Sequence, residues 1–404
     1  MKGGISLLRI NILILLLCVT FNQLTGQQAA YTLSTYHAKA DSIIGKKHLN
    51  FFFKKLQALA SDTTGKAKVK ILHIGDSHIQ ADMLTREIRH SFQQRYGNAG
   101  RGLIFPHRLA RTNESFDFKS STNREWEWTS LRNRKRNFEP GIAGYTLQTN
   151  ENVSTVTFKF NDSDSIKLQP TSIQQIFRND SLGLLALIQG AALNERKLIV
   201  LNHDTIYTTH FDKPLNEIHL KIPCNVLFDG LILENDTKGI RYDVVGVNGA
   251  HYVDYTTSKV FFRQIKLMQP DLIIVSLGTN EGVNQRITPE SMHADVEKFV
   301  TQLRRADIRS DVLLLTPFDN YYRKRKPNPY LTIVSKGIVQ ASEQLSVACL
   351  DMYRITGGNG SALAWLRKGY LSHDRIHYTL SGYELQGKMI YNTLIKSYLS
   401  SKHD

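Results

Sequence analysis

The sequence predicts an α/β fold in which a parallel sheet, covered by helices on both faces, contains an inserted β-sandwich. Of the 404 residues, 41% are hydrophobic and 22% are charged, which is a globular composition. Short apolar runs alternate with helical patterns in residues 69–102 and again after residue 241. Between them, residues 103–240 lose the helical periodicity and show short alternating stretches separated by Asn, Asp, Gly and Pro, which is typical of a sandwich.

The N-terminus is typical of a signal peptide. Two basic residues precede the apolar run 10–21, which is shorter than the ~20 residues of a membrane-spanning helix. We predict a leader of residues 1–26 and a periplasmic or secreted protein without stable membrane insertion; an uncleaved anchor is the alternative. Cys224 and Cys349 then remain, and an oxidising compartment would allow them to pair, although two cysteines do not establish a bridge.

Three short polar motifs lie where strands are predicted to end or where the last helix is predicted to begin. They are Gly75-Asp76-Ser77-His78, Gly278-Thr279-Asn280-Glu281 and Asp374-Arg375-Ile376-His377. Open α/β sheets bind ligands at the carboxyl ends of their strands, so we expect all three motifs to meet at one edge of the sheet.

These motifs together contain the groups needed for nucleophilic catalysis. The hydroxyl of Ser77 becomes a nucleophile when an imidazole, here that of His377, accepts its proton. Asp374 can fix the tautomer of that ring and stabilise its charged form. The amide of Asn280 and the backbone N–H of Ser77 at a helix start can donate to an oxyanion. Each motif alone is weak, but all three in this order indicate a hydrolase.

In this order the motifs resemble the sequence blocks of the SGNH (GDSL-type) hydrolases. The resemblance implies Ser77 as the nucleophile, with Asp374 and His377 completing the triad. It also implies an oxyanion hole formed by Ser77, Asn280 and a glycine. Gly249 fits that glycine best, and Gly246 is the competing assignment.

A closer resemblance is to bacterial peptidoglycan O-acetylesterases, some of which have a carbohydrate-binding-like β-sandwich inserted after the nucleophile block. It lies in residues 75–82, 96–102 and 246–250. The resemblance implies a hydrolase domain in two parts interrupted by the sandwich, with the boundaries 27–102, 103–240 and 241–404.

We therefore expect an exported serine esterase that removes O-acetyl groups from a glycan, with peptidoglycan the best substrate, through an acetyl-serine intermediate. No cofactor is expected, and no substrate-binding residue is assigned. An esterase of acetylated plant or capsular polysaccharide is the alternative within the enzyme class, and an acetyltransferase using the same intermediate is a third option. A non-catalytic glycan-binding envelope protein is the alternative outside it. A nucleic-acid partner is not expected, because no binding motif is present.

The neighbouring polar residues have simpler interpretations. His78 and His251 are expected to support loops by hydrogen bonding, and Asp76 to brace the serine turn. Asp76 and His78 together with the Asp374/His377 pair would also suit a metal ion, but no further carboxylate-rich segment completes such a site, so none is expected.

Charge is unevenly distributed along the chain. The net charge is +15, yet basic and acidic residues are equally numerous in residues 103–240. The sequence therefore predicts a basic catalytic face, which would attract the carboxylates of peptidoglycan. The basic runs 132–136 and 323–326 are interpreted as solvated loops, with attraction to anionic glycans as the alternative.

Overall fold

The computed structural model describes residues 43–161, 168–179, 187–188, 193–201 and 204–402. The predicted leader, residues 1–26, lies outside the described residues. Within the described ranges, no helix combines the length and the apolar composition needed to cross a membrane.

A six-stranded parallel sheet forms the centre of the hydrolase part. In spatial order its strands are Ala348–Leu350, Asp311–Leu315, Leu272–Ser276, Lys68–Gly75, Gly239–Gly246 and Asn98–Gly100. The strand Lys68–Gly75 has a parallel neighbour on each side, and Gly75 is in register with Gly246 and Ser276. The loops that follow these strands therefore leave the sheet at the same edge.

Both faces of this sheet are covered. Ile71, Leu72 and Ile74 are all fully buried, although successive side chains of a strand point to opposite faces. The longer helices are Asn50–Ser61, Met83–Tyr96, Lys259–Met268, Pro289–Arg305, Tyr330–Gln344 and Leu380–Ser400. The shorter helical segments are Lys46–Leu49, Ser77–Gln80, Tyr252–Tyr255, Glu281–Val283, Met352–Ile355 and Ser361–Arg367. This arrangement confirms the predicted α/β class.

Local sequence signals set the ends of these helices. The Thr288 hydroxyl accepts a hydrogen bond from the backbone N–H of Ser291 at 3.1 Å, and Pro289 occupies the first helical position. At a C-terminal end, Gly97 follows the helix Met83–Tyr96 with a φ of 96°, which favours glycine.

The residues between the two hydrolase parts form two antiparallel sheets. In spatial order, one contains the strands Leu193–Leu201, Asp204–Phe211, Ser172–Arg178, Leu227–Glu234, Tyr145–Gln148 and Glu127–Ser130, with Gly102–Ile104 also paired to Leu227–Glu234. The other contains Phe118–Thr122, Val153–Phe160, Glu217–Pro223 and Leu187–Ile188. Phe118 and Phe158 of the smaller sheet lie in one buried cluster with Phe177 and Phe228 of the larger sheet. The two sheets therefore share a core, as in a sandwich.

The sandwich is continuous with the hydrolase part. The ring of Phe105 stacks on that of Phe228 with centroids 6.1 Å apart, and the same buried cluster extends to Val247 and Phe261. The chain leaves the parallel sheet at Arg101, between Asn98–Gly100 and Gly102–Ile104, and returns to it in the strand Gly239–Gly246.

The strand Gly239–Gly246 was not predicted, because its sequence contains two charged residues. Arg241 and Asp243 are both buried, and they satisfy each other: the Arg241 Nε donates to Asp243 Oδ2 at 3.0 Å. Arg241 also pairs with Glu234, at the end of the last sandwich strand. Buried charges are tolerated only when paired, so this central strand depends on a partner from the insert.

A second buried ionic cluster joins the nucleophile segment to the start of the insert. Asp82 accepts from Arg89 at 2.7 Å and from Arg101 at 2.9 Å, and Arg101 also donates to Asp117 at 2.6 Å. Burial alone would raise the pKa of Asp82, but the two guanidinium groups hold it well below its usual range.

The two cysteines among the described residues, Cys224 and Cys349, are not bonded to each other. Cys349 is buried in the strand Ala348–Leu350 of the parallel sheet, and Cys224 follows the sandwich strand Glu217–Pro223. Burial raises the pKa of the Cys349 thiol well above its usual range, so this group is an unreactive core residue.

Candidate active site

Ser77 lies directly after the strand Lys68–Gly75, at the start of a four-residue helix. The preceding Asp76 is 1% exposed, and its carboxylate accepts a hydrogen bond from the backbone N–H of His78 at 2.9 Å. The expected role of Asp76 as a brace of the serine turn agrees with this contact. The nucleophile segment is thus fixed by buried groups.

Two glycines allow this helix to lie against the sheet. A Cβ at Gly75 would be 2.3 Å from the Ile79 side chain and 2.7 Å from the Ser276 carbonyl oxygen. A Cβ at Gly246 would be 2.2 Å from the backbone nitrogen of Gln80. Gly246 therefore serves close packing, and it does not line the cavity around Ser77.

The second half of the candidate triad lies in a compact loop. The backbone N–H groups of Ile376 and His377 each donate to Asp374 Oδ1 at 2.9 Å. The N–H of Ser372 donates to the His377 carbonyl at 2.8 Å, which closes the loop on itself. Arg375, which follows Asp374 in this loop, has a φ of 61°, in the left-handed region.

The structure brings the three predicted residues together, although Ser77 and His377 are 300 positions apart in the chain. Ser77 Oγ lies 2.8 Å from His377 Nε2, and His377 Nδ1 lies 2.6 Å from Asp374 Oδ2. Burial alone would raise the pKa of Asp374, but hydrogen bonds from the His377 ring and from two backbone N–H groups lower it to about 2. Asp374 is therefore ionised at neutral pH and can orient an imidazolium.

His78 stands behind the candidate base. Its Nδ1 lies 2.8 Å from the Tyr383 hydroxyl, and its ring centroid lies 5.0 Å from that of His377. Burial lowers the pKa of His78 to about 3, and the neighbouring His377 acts in the same direction. A neutral His78 adds no like charge beside an imidazolium at His377, and its support of the site by hydrogen bonding agrees with the expectation.

Ser77 and His377 open into a cavity of about 520 Å³, whereas Asp374 lies behind the imidazole and does not line it. Its lining consists of Ser77, His78, Ala81, Met83, Asn113, Asn248, Gly249, Thr279, Asn280, Ile376, His377, Tyr378 and Tyr383. Of the two candidate oxyanion glycines, Gly249 lies in this lining, with a φ of 72° that favours glycine.

The Asn280 amide already has two acceptors in this structure. Its Nδ2 donates to the Ala250 carbonyl at 3.0 Å and to Asp76 Oδ2 at 3.2 Å. An oxyanion would compete with the longer of these contacts. Burial raises the pKa of Asp76 to about 7, with the nearby Glu281 adding to the shift, so the strength of this competitor depends on pH.

Sequence reasoning assigned no role to the two asparagines that line the cavity beside Gly249. Asn113 comes from the start of the insert, and Asn248 Nδ2 donates to the neighbouring Thr112 hydroxyl at 2.9 Å. Gln80 ties them to the nucleophile helix, because its Oε1 accepts from the Asn248 N–H at 2.8 Å and its Nε2 donates to the Asn113 carbonyl at 2.8 Å. The only signal in the sequence was the Val-Asn-Gly-Ala motif around Asn248.

The first basic run contacts the hydrolase part, contrary to its interpretation as a solvated loop. Arg132 donates to Asp254 Oδ2 at 3.1 Å, and Arg136 donates to the Thr257 hydroxyl at 2.8 Å. His251 lies in the same group of contacts, with its Nδ1 3.1 Å from Asp254 Oδ2, as expected for a residue that supports a loop.

Part of the positive charge of the hydrolase segments lies at the opposite edge of the sheet. A cleft of about 520 Å³ at the amino ends of the strands is lined by five basic side chains, Lys55, Lys68, Lys70, Lys266 and Arg309, and by two acidic ones, Asp271 and Asp307. The strand Lys68–Gly75 separates this cleft from the serine turn by eight residues, or roughly 26 Å at the usual rise. The prediction of a basic catalytic face from the charge partition is therefore not supported for these residues.

Within the part of the chain that the structure describes, no group of three or more His, Cys, Asp or Glu side chains is arranged to hold a metal ion. In the sequence, Asp76, His78, Asp374 and His377 are the residues that would suit a metal ion. In the structure, Asp374 and His377 bond to each other and His78 bonds to Tyr383.

Comparison with known proteins supports this picture. Residues 230–385 match the GDSL-like lipase/acylhydrolase family, which confirms the family resemblance and the enzyme class, a carboxylic ester hydrolase. This match covers Gly249, Asn280 and the Asp374/His377 pair, whereas Ser77 lies before it. A search of the curated proteins finds no significant match.

Among solved structures, a peptidoglycan O-acetylesterase has the same fold. It is 21% identical, with a TM-score of 0.70 over 87% of this chain and 96% of its own. A lipase/acylhydrolase from Enterococcus faecalis is 19% identical over 38% of this chain and 75% of its own, with a TM-score of 0.30. A catalytic mutant of an acetylxylan esterase from Geobacillus stearothermophilus is 16% identical over 39% and 73%, also with a TM-score of 0.30.

Proposed function

We propose that this chain is an exported serine esterase that removes O-acetyl groups from a glycan, with peptidoglycan as the substrate. The observation that supports it best is the unbroken relay from Ser77 Oγ through His377 to Asp374, with links of 2.8 and 2.6 Å. A relic that only binds glycans has no need to retain such a relay.

The geometry supports an acyl-transfer mechanism in two steps. His377 accepts the proton of Ser77 as its oxygen attacks the acetyl carbonyl, and Asp374 stabilises the imidazolium. The backbone N–H groups of Ser77 and Gly249 and the amide of Asn280 donate to the oxyanion. His377 then protonates the sugar oxygen, which leaves as the free hydroxyl.

Water completes the cycle. His377 accepts a proton from a water molecule that attacks the acetyl-serine carbonyl, and acetate leaves as the Ser77 hydroxyl is restored. The relay requires no cofactor. The cavity of about 520 Å³ is far smaller than a polymer, so only the acetylated residue of a glycan enters it and the rest of the chain lies across its rim.

The peptidoglycan assignment and an extracytoplasmic location rest on two supports. One is the fold likeness to a peptidoglycan O-acetylesterase, which extends over more of the chain than the two hydrolase segments contain. The other is the leader-like sequence in residues 1–26, which is itself a prediction.

Acetate release tests the proposal. The purified protein should release acetate from O-acetylated peptidoglycan faster than from acetyl-xylan. Ser77→Ala should lower kcat by about 10⁶-fold, the scale seen when another serine hydrolase loses its nucleophile, while circular dichroism and Tm stay unchanged. A folded Ser77→Ala variant with wild-type activity would remove Ser77 as the nucleophile. Faster release from acetyl-xylan would refute the peptidoglycan assignment alone.

A further inference from the structure

The insert places one arginine at the rim of the active-site cavity. A Cβ built on Gly249 would lie 3.6 Å from Arg132 Nε and 3.9 Å from Arg132 Nη2. Gly249 lines the cavity with Ser77 and Asn280, whereas Arg132 does not. The guanidinium therefore covers the outer side of the candidate oxyanion glycine.

One edge of the Arg132 guanidinium has no protein partner beside Gly249 among the described residues. Its Nη1 donates to Asp254 Oδ2 at 3.1 Å and lies 3.2 Å from His251 Nδ1. None of the residues that the structure describes accepts a hydrogen bond from Nε or Nη2. These two nitrogens form the edge of a guanidinium that binds a carboxylate through two parallel hydrogen bonds.

The arginine is held in place by its surroundings. Asp254 fixes the Nη1 side, and the loop itself is locked by Arg136, whose guanidinium donates to the Leu131 carbonyl at 2.9 Å and the Asn133 carbonyl at 2.6 Å. The side chain of Arg132 is 44% exposed, so its free edge is accessible to solvent. A fixed donor pair loses less entropy on binding an anion than a mobile one does.

Other groups on the loop do not share this geometry. Arg134 and Lys135 are exposed, and no side-chain hydrogen bond or ion pair joins them to a described residue. They add positive charge to the same loop, but the atoms nearest to Gly249 belong to Arg132. They are therefore natural controls for a general effect of charge.

We propose that the Nε/Nη2 edge of Arg132 is a carboxylate-binding subsite beside the oxyanion hole. It would select O-acetylated glycans that have a carboxylate close to the ester, such as peptidoglycan with its acidic substituents, over neutral acetylated glycans. This inference rests on the proposed esterase function and adds the substrate feature that is recognised.

The experiment compares matched esters in one enzyme. We would measure kcat/KM for 3-acetoxybenzoate and for its neutral methyl ester, and for acetylated peptidoglycan fragments before and after amidation of their carboxylates. The acidic-to-neutral ratio should fall roughly 10-fold or more in Arg132→Gln, because a hydrogen bond to a charged group is lost. Arg132→Lys keeps the charge but lacks the two parallel donors of the Nε/Nη2 edge, so its ratio should lie between those of the wild type and Arg132→Gln.

Controls separate this effect from other causes. Arg134→Gln should leave the ratio unchanged, and an equal fall there would assign the selectivity to general charge rather than to the fork. Loss of a purely structural contact would lower kcat/KM for the acidic and the neutral ester alike. An unchanged ratio in Arg132→Gln would therefore overturn the subsite while leaving the esterase intact. Absence of turnover on every ester by the wild-type protein would instead refute the proposed function.

Discussion

The two halves of the candidate triad are built in opposite ways. Ser77 follows a central strand, and its neighbour Asp76 is 1% exposed and accepts hydrogen bonds from the His78 N–H and the Asn280 amide. Asp374 and His377 are 36% and 38% exposed, and hydrogen bonds within residues 372–377 hold them. The difference teaches that the core positions the nucleophile, whereas the local sequence positions the base. Substitutions in the two halves should therefore affect stability and catalysis differently.

The largest expected effect lies in the exposed half. Asp374→Asn should lower kcat by about 10⁴-fold, because an Asp→Asn change at the equivalent triad position of a serine protease does so by favouring the wrong imidazole tautomer. Tm should change less than in the glycine variant of the buried half, since an asparagine can still accept the two backbone hydrogen bonds of this half-exposed loop. Rates from a chromogenic acetyl ester and a thermal melt of the same sample would test both statements. A large fall in Tm would show that the loop is part of the core.

The buried half should show the reverse pattern. Gly75→Ala places a methyl group 2.3 Å from Ile79 and 2.7 Å from the Ser276 carbonyl, so we expect a loss of about 3 kcal/mol in the free energy of unfolding. Gly65→Ala is the control, because no atom lies within 4 Å of its Cβ position, and its φ of 73° isolates the cost of backbone strain. Denaturant unfolding would compare them. Equal losses would contradict the close-packing argument.

The third expected effect is gradual and concerns pH. The pKa of Asp76 is raised to about 7, so its stabilising neutral form is present at low pH and is lost as pH rises from about 4 to about 7. Relative to Asp76→Asn, the wild type should lose at most about 1.4 kcal/mol per pH unit across that window. Parallel stability curves for the two proteins would show that Asp76 has an ordinary pKa when folded.

The sequence was most informative where function depends on neighbouring residues. Asp374 and His377 lie three positions apart, and the Thr288-Pro289 cap stands at its helix start, so both were predictable from local patterns. The strand Gly239–Gly246 was missed, because its buried Arg241 obtains its partner Glu234 from another sheet. The rim position of Arg132 likewise follows from how the insert docks. Net charge counted by segment does not say at which edge of the sheet the basic groups lie.

The topology of the central sheet has a consequence for biosynthesis. The strand Lys68–Gly75 pairs with Gly239–Gly246 and Leu272–Ser276, and both neighbours are made only after the whole insert has been synthesised. All strand pairings of the sandwich, in contrast, lie within residues 102–234. The sandwich can therefore form all its strand pairings before the nucleophile strand has either of its partners, and an unpaired strand is open to aggregation. The catalytic sheet can therefore close only after residues 239–276 have been made, when every strand of the sandwich is already present in the chain.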